Sequence, residues 1–246
     1  MTENEWLNAI KPYSCKEIAK DFGTARKLRL LMVGYLGPLQ ELFSPGARNV
    51  FLMLREWAED ECKRIEDKPW SAPGGPLGDN MEWSLRGIAS SAVGWVVHHG
   101  SRIEPNWTYS IAMPGAELTD KVAQALVLKR VGNAPKGVSV THPSHRAWSQ
   151  AWQNELQADQ AKQADLMRCV YGNPFRPASC EPTWITPTVL SLAQSIYTDR
   201  TFDQLPTLAD ELEKTGCANQ EILGHCRGPG PHVRGCWVVD LMLGKG

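Results

Sequence analysis

Residues 144–172 read SHRAWSQAWQNELQADQAKQADLMRCVYG and form the longest regular pattern in the chain. The residues that recur at intervals of three or four are Trp148, Trp152, Leu156, Asp159, Gln163, Leu166 and Val170. This spacing is typical of one face of an α-helix. Ser144 is the predicted N-cap, and Gly172 before Asn173-Pro174 is the predicted end. The stretch therefore predicts a long helix at the start of an orderly C-terminal region.

Further helix signals follow this stretch. Thr186-Pro187, Pro206 and Asn219 each begin a segment with helical spacing, since proline is favoured in the first turn and asparagine at the cap. The segment from His232 to Leu243 is predicted to be the last helix. The C-terminal region is thus predicted to consist of helices joined by short turns.

Glycine- and proline-rich connections divide the chain. Residues 131–143 are the clearest linker, and they predict a boundary between two helical lobes at 1–135 and 143–246. Within this linker, residues 137–141 have the character of a short strand. The predicted fold class is all-α (mainly α), with two helical lobes, irregular connections and little or no sheet.

The charge composition of the chain argues against some classes of function. The 246 residues include 26 basic and 27 acidic side chains, so the formal net charge is −1. This balance argues against charge-driven binding of nucleic acid and against a polybasic membrane binder. The weak candidates for nucleic-acid contact are Lys16, Lys20, Arg26, Lys27 and Arg29. No run of about 18 residues is free of charges and breakers, and the N-terminus lacks the features of a signal peptide. We expect a cytoplasmic protein whose seven cysteines are reduced.

Histidine and cysteine are most concentrated near the C-terminus. On the predicted last helix, His232 and Cys236 would lie four residues apart on one face, and His225-Cys226 precedes them across a Gly-Pro-Gly-Pro turn. Imidazole nitrogen and thiolate sulfur are good zinc ligands. His225, Cys226, His232 and Cys236 are therefore the candidate metal site, with Cys217 as a possible substitute ligand.

Alternatives to this metal site remain open at the level of sequence. The helical stripe of His232, Cys236, Val239 and Leu243 is half apolar, as a core face would be. A second histidine group, which is a weaker candidate for a metal or a catalytic base, consists of His98, His99, His142 and His145. A cysteine nucleophile paired with a histidine would be Cys169, Cys180 or Cys226.

Residues 172–177 read GNPFRP, 183–189 read TWITPTV, and 225–240 read HCRGPGPHVRGCWVVD. Together these motifs resemble a large paralogous family of uncharacterised planctomycete-type bacterial proteins. Near the N-terminus, Glu5-Trp6-Leu7 and the RKLRL run at 26–30 resemble the same family. The resemblance implies a soluble, helical bacterial protein and implies no activity.

Tryptophan is the residue in excess, at 10 copies. Aromatic side chains dominate both cores and interaction surfaces, and Trp70 and Trp107 lie in irregular segments that a partner could reach. The chain carries neither a nucleophile elbow nor a phosphate-binding glycine loop. We therefore expect a non-enzymatic protein-interaction module or a subunit of a larger bacterial assembly. The alternatives are a zinc-binding protein, hydrolytic if it is an enzyme, and an accessory nucleic-acid-binding subunit.

Overall fold

The computed structural model describes residues 2–10, 25–43, 45–59 and 115–245. Across these ranges the regular structure is helical and no strand occurs, which confirms the predicted all-α class. The chain divides into two compact units. One contains Met1–Asn8 and Asp165–Gly246, and the other contains Ala9–Ala164.

The described ranges contain α-helices and a few short 3-10 helices. In chain order, the α-helices are α1 (Glu3–Leu7), α2 (Ala25–Leu36), α3 (Pro45–Trp57), α4 (Gly115–Val131), α5 (Pro143–Tyr171), α6 (Pro187–Asp199), α7 (Leu205–Lys214), α8 (Gln220–Arg227) and α9 (Trp237–Leu243). The 3-10 helices cover Gly37–Leu42, Pro182–Trp184 and Phe202–Gln204. Because α6 to α9 are short, the positions of their ends and of the turns between them decide where the polar side chains of the C-terminal unit lie.

Two predicted helix starts are confirmed, and each has a side-chain cap. The Thr186 hydroxyl accepts a hydrogen bond from the Val189 N–H at 3.3 Å at the start of α6. Asn219 Oδ1 accepts from the N–H groups of Glu221 and Ile222, at 2.9 and 3.2 Å, at the start of α8. These side chains satisfy backbone donors that have no partner inside the helix. The caps place α8, which carries two of the predicted metal ligands.

The long helix α5 begins two residues earlier than predicted. Pro143 occupies its first position, so Ser144 lies inside the first turn and is not the N-cap. The ring Nδ1 of His142 lies 3.3 Å from the Ser144 N–H and accepts from it instead. The helix ends at Tyr171 and is followed by Gly172 in the left-handed region, with φ of 65°. The prediction of a long helix here is confirmed, and its cap is corrected.

The two units do not divide at the predicted linker. The division falls between Ala164 and Asp165, inside α5, and Met1–Asn8 belongs to the C-terminal unit. A glycine- and proline-rich composition indicates where helices end. It does not indicate where one compact unit ends and the other begins. Residues 137–141 form turns and bends, because a strand needs a hydrogen-bonded partner and none is found in the described ranges.

The C-terminal unit has its core between α6, α7, α8 and α9. Its fully buried members include Val189, Ala193, Ile196, Leu205, Leu208, Leu212, Ile222, Cys226 and Val238. The last helix begins at Trp237, so the prediction of a helix from His232 onward is wrong. Gly235 has φ of 92°, a conformation that an α-helix does not contain. Residues 233–236 form a turn instead, in which the Cys236 N–H donates to the Val233 carbonyl at 2.9 Å, and Cys236 becomes the N-cap residue of α9.

Candidate metal centre

Four metal-ligating side chains converge in the C-terminal unit: Cys169, His225, His232 and Cys236. Their ligand atoms all lie within 4.8 Å of one another. His225 Nε2 lies 3.3 Å from Cys236 Sγ, and Cys169 Sγ lies 3.7 Å from His232 Nδ1. Zinc–sulfur bonds of about 2.3 Å and zinc–nitrogen bonds of about 2.0–2.1 Å would put tetrahedral ligand atoms about 3.3–3.8 Å apart. These two spacings lie within the range of a tetrahedral zinc site, and the pairs that are farther apart, up to 4.8 Å, would draw together around an ion.

The four side chains come from two helices and from the connection between α8 and α9. Cys169 lies in the last turn of α5, and His225 lies in α8. His232 lies in the Gly-Pro segment between α8 and α9, and Cys236 is the residue before α9. An ion bound at this point would join α5, α8 and the segment before α9, which already meet through these two side-chain contacts.

A backbone carbonyl orients the His232 ring. Its Nε2 lies 3.3 Å from the Gly228 carbonyl oxygen, and a proton on Nε2 donates to that oxygen. Nδ1 is then the unprotonated nitrogen, and it is the atom that faces Cys169. Metal-bound histidines are commonly held by such a carbonyl, which fixes both tautomer and ring orientation.

The two thiols have opposite tendencies to ionise. Burial raises the pKa of Cys236, but hydrogen bonds from Cys169 and His225, together with the contact with His232, outweigh burial and hold that pKa well below its usual range. The hydrogen bond to Cys236, together with burial, raises the pKa of Cys169 well above its usual range. Burial lowers the pKa of His232, yet its contacts with Cys236 leave the pKa above its ordinary value. The cluster thus favours one thiolate, the anionic form in which cysteine binds metal.

Aromatic contacts hold the His225 ring in place. It packs edge to face against His232, with ring centroids 4.9 Å apart, and in a tilted arrangement against Trp237, with centroids 5.4 Å apart. The Trp237 ring in turn lies against Gly172, where a Cβ would come within 3.0 Å of it. The imidazole is therefore positioned by close packing from α9.

Three of the four predicted ligands belong to this cluster, and Cys226 does not. Cys226 is fully buried in the core of the unit, and burial raises its pKa above the ordinary thiol value. Neighbouring residues on an α-helix point about 100° apart, so His225 and Cys226 face different surroundings. The predicted substitute, Cys217, is also a core residue. The fourth member of the cluster is Cys169.

Sequence reasoning missed Cys169 as a ligand and treated it only as a candidate nucleophile. His232 and Cys236 were placed together on one helix face, but they meet across a turn instead. Cys169 lies 63 residues before His232 along the chain, and no local spacing links them. The indication that the sequence did offer is that Cys169 lies one turn before the GNPFRP motif, at the end of a long predicted helix.

The remaining candidate residues have other roles or lie outside the described residues. His145 packs edge to face against Trp148, with centroids 5.6 Å apart, and His142 caps α5. The residues outside the described ranges are Trp70, Trp107, His98, His99, Lys16 and Lys20. Within the described part of the chain, the cysteines are free thiols.

Two of the predicted basic residues are engaged within the protein. Arg26 pairs with Glu59 at 3.5 Å, and buried Arg29 donates to the Ala58 carbonyl at 3.5 Å. None of the helices in the described ranges is both long enough and apolar enough to span a membrane. The chain matches no known protein family, no curated protein and no solved structure.

Proposed function

We propose that this chain is a zinc-binding protein in which Cys169, His225, His232 and Cys236 hold one structural zinc ion. The observation that supports the proposal is the convergence of two thiols and two imidazoles within 4.8 Å. A tetrahedral set of two sulfur and two nitrogen ligands is characteristic of zinc. The carbonyl contact of His232 adds the outer-shell support that such sites usually have.

The ligand set favours a structural ion over a catalytic one. Catalytic zinc keeps an open position for water or substrate, whereas structural zinc is closed by four protein ligands. Cys169 and Cys236 are buried, so the sulfur side of the site is shielded from solvent. The proposal therefore agrees with a non-enzymatic protein and does not favour the hydrolytic alternative.

The role of the ion follows from where its ligands lie. The core of the C-terminal unit is formed by short helices, and short helices gain their stability mainly from packing. An ion that ties the end of α5 to α8 and to the start of α9 would add its binding free energy to folding. The protein-partner prediction remains a prediction, and a metal-stabilised unit is a suitable scaffold for it.

Metal content of the full-length protein tests the proposal. The protein is purified without chelator or affinity metal from cells grown with zinc, and its metals are measured by elemental analysis. We expect about one zinc per chain. Cys169→Ala and His232→Ala should each remove it, while Cys226→Ala, a buried cysteine next to His225 in sequence, should retain it.

Cobalt substitution provides an independent readout of geometry. Co²⁺ bound by two thiolates and two imidazoles gives the visible absorption of a tetrahedral site together with thiolate charge-transfer bands. These bands should be absent from Cys169→Ala and present in Cys226→Ala. A wild-type protein that binds neither zinc nor cobalt would overturn the proposal and make the cluster a hydrogen-bonded part of the core. Equal metal loss in Cys226→Ala would also contradict the assignment.

A further inference from the structure

The helix α1 is held on the C-terminal unit by a fully buried tryptophan. Trp6 has no exposed surface, and its indole N–H donates to the Gly172 carbonyl at 2.9 Å. Its ring meets the Tyr171 ring edge to face, with centroids 6.4 Å apart. The Arg168 guanidinium donates to the Trp6 carbonyl at 3.2 Å. These three contact residues all lie within three positions of the proposed zinc ligand Cys169.

Gly172 also contacts a side chain of the metal centre. The Trp237 ring lies 3.0 Å from the position that a Cβ of Gly172 would take. Trp237 directly follows the ligand Cys236 in sequence, and its ring packs against the ligand His225 with centroids 5.4 Å apart. Gly172 therefore touches the buried indole of Trp6 through its carbonyl and the Trp237 ring through its Cα. Two contacts connect α1 with the ligands of the proposed zinc ion.

A second anchor of α1 lies on the segment that follows α5. The Glu3 carboxylate accepts from the Asn173 amide at 2.8 Å and pairs with Arg176 Nε at 2.8 Å. Asn173 Oδ1 also accepts from the Phe175 N–H at 3.1 Å, which holds the turn that presents these donors. Both anchors of α1 thus depend on where the end of α5 lies and on how the chain leaves it.

We propose that α1 is a zinc-dependent latch, which zinc holds on the C-terminal unit and which loss of zinc releases. The inference rests on the proposed function, because it requires an ion bound by Cys169 and Cys236. That ion would tie the end of α5 to the start of α9, and so would hold Gly172 in the position that Trp6 contacts. Zinc then favours docked α1 over released α1. By linkage, docked α1 favours zinc binding by the same factor.

The zinc affinity of full-length protein measures this coupling from the side of the metal centre. The metal-free protein is titrated with zinc in competition with a chromophoric chelator. Trp6→Ala removes the buried anchor and changes no ligand, so it should weaken zinc binding at least about fivefold, the lower end of the usual range for coupled sites. Glu3→Ala removes the charged anchor without opening a buried cavity, and it should weaken binding in the same direction.

Thr186→Ala is the matched control for these two variants. It removes the cap of α6 in the same unit, which costs stability, and Thr186 is not one of the residues that connect α1 with the metal centre. Its zinc affinity should equal that of the wild type. Circular dichroism of each metal-free variant checks that the protein is folded before zinc is added.

Hydrogen exchange of the Trp6 indole N–H measures the coupling from the side of the latch. This proton is the one that donates to the Gly172 carbonyl, and Trp6→Phe assigns its NMR signal. Removal of zinc from the wild type should lower its protection at least about fivefold. The Trp148 indole donates to the Gly132 carbonyl at 3.0 Å in the other unit, and its protection should stay unchanged. In the zinc-free protein the Trp6 proton should be less protected than the amides of α7, because release of the latch does not require the unit to unfold.

Three results would overturn the latch and leave the zinc proposal intact. The first is a wild-type protein that binds about one zinc per chain with the same Trp6 protection whether zinc is present or absent. The second is a zinc affinity that Trp6→Ala leaves unchanged, or lowers no more than Thr186→Ala does. The third is a zinc-free protein in which the Trp6 proton exchanges only together with the amides of α7, since the ion would then stabilise the whole unit. A wild type that binds no zinc overturns both proposals, so the two failures are distinguishable.

Discussion

The Sγ of Cys169 lies 3.7 Å from Nδ1 of His232, although 63 residues separate the two along the chain. This contact joins the end of α5 to the Gly-Pro segment that precedes α9. It sits beside the 3.3 Å approach of His225 to Cys236, so both pairs can serve one ion. The stability of the C-terminal unit should accordingly depend on metal.

Zinc should stabilise the protein against unfolding. A ligand that binds only the folded state, at about 1,000 times its Kd, contributes about 4 kcal/mol. Thermal unfolding followed by circular dichroism should therefore shift to higher temperature with added zinc and to lower temperature with chelator. Cys169→Ala should lose this response and Cys226→Ala should keep it. A wild-type Tm that is unchanged by zinc and chelator would contradict a structural ion.

Gly172→Ala should destabilise the protein more than Gly244→Ala. The backbones of both glycines lie in the left-handed region, with φ of 65° and 64°. Only at Gly172 would an added Cβ meet a side chain, because the Trp237 ring lies 3.0 Å from its position. The left-handed conformation costs about 1–2 kcal/mol for either alanine, and overlap in a packed site adds about 1–3 kcal/mol. Urea denaturation of the two variants measures the difference. Equal costs would mean that Trp237 moves aside freely.

Asn219→Ala should cost about 1 kcal/mol of folding free energy. Its side chain accepts from two backbone N–H groups at the start of α8, and alanine leaves both without that acceptor. Gln204 is the matched control, because it occupies the N-cap of α7 without a side-chain capping bond. Gln204→Ala should therefore have little effect in the same denaturation experiment. A larger loss at Gln204 than at Asn219 would contradict the assigned caps.

The buried carboxyl of Asp159 should make stability depend on pH. Burial raises its pKa above the ordinary value, and the ion pair with Arg130 offsets only part of this. The folded state thus favours the protonated carboxyl. Its contribution is fully present below the unfolded pKa of about 3.9 and is lost as pH rises through the higher folded pKa.

Asp159→Asn removes this titration and so provides the reference. The free energy of unfolding of the wild type, minus that of the variant, should fall as pH rises from about 4 to 7. Urea denaturation at several pH values within this range measures the trend. A difference that grows with pH would show that the ion pair with Arg130 outweighs burial.

Several local features of the fold were predictable because their causes are local. Thr186 and Asn219 cap helices through hydrogen bonds to residues two or three positions away, so spacing alone indicates them. The periodicity of 144–172 likewise predicts α5, because the backbone hydrogen bonds of a helix join residues four apart. At the start of α5, the His142 ring accepts a hydrogen bond from the Ser144 N–H. The helix therefore begins two residues before its predicted start.

By itself, then, the sequence determined the all-α class, most helix starts in the C-terminal unit, and the presence of His225, His232 and Cys236 as metal-ligating residue types. Only the tertiary structure decided that Cys169 joins them and that Cys226 does not. The physical reason is that a ligand set depends on distances between separate elements, which follow from how α5, α8 and the turn at Gly235 pack. Sequence spacing carries such distances only within one helix, and this site is built from α5, α8 and the connection between α8 and α9.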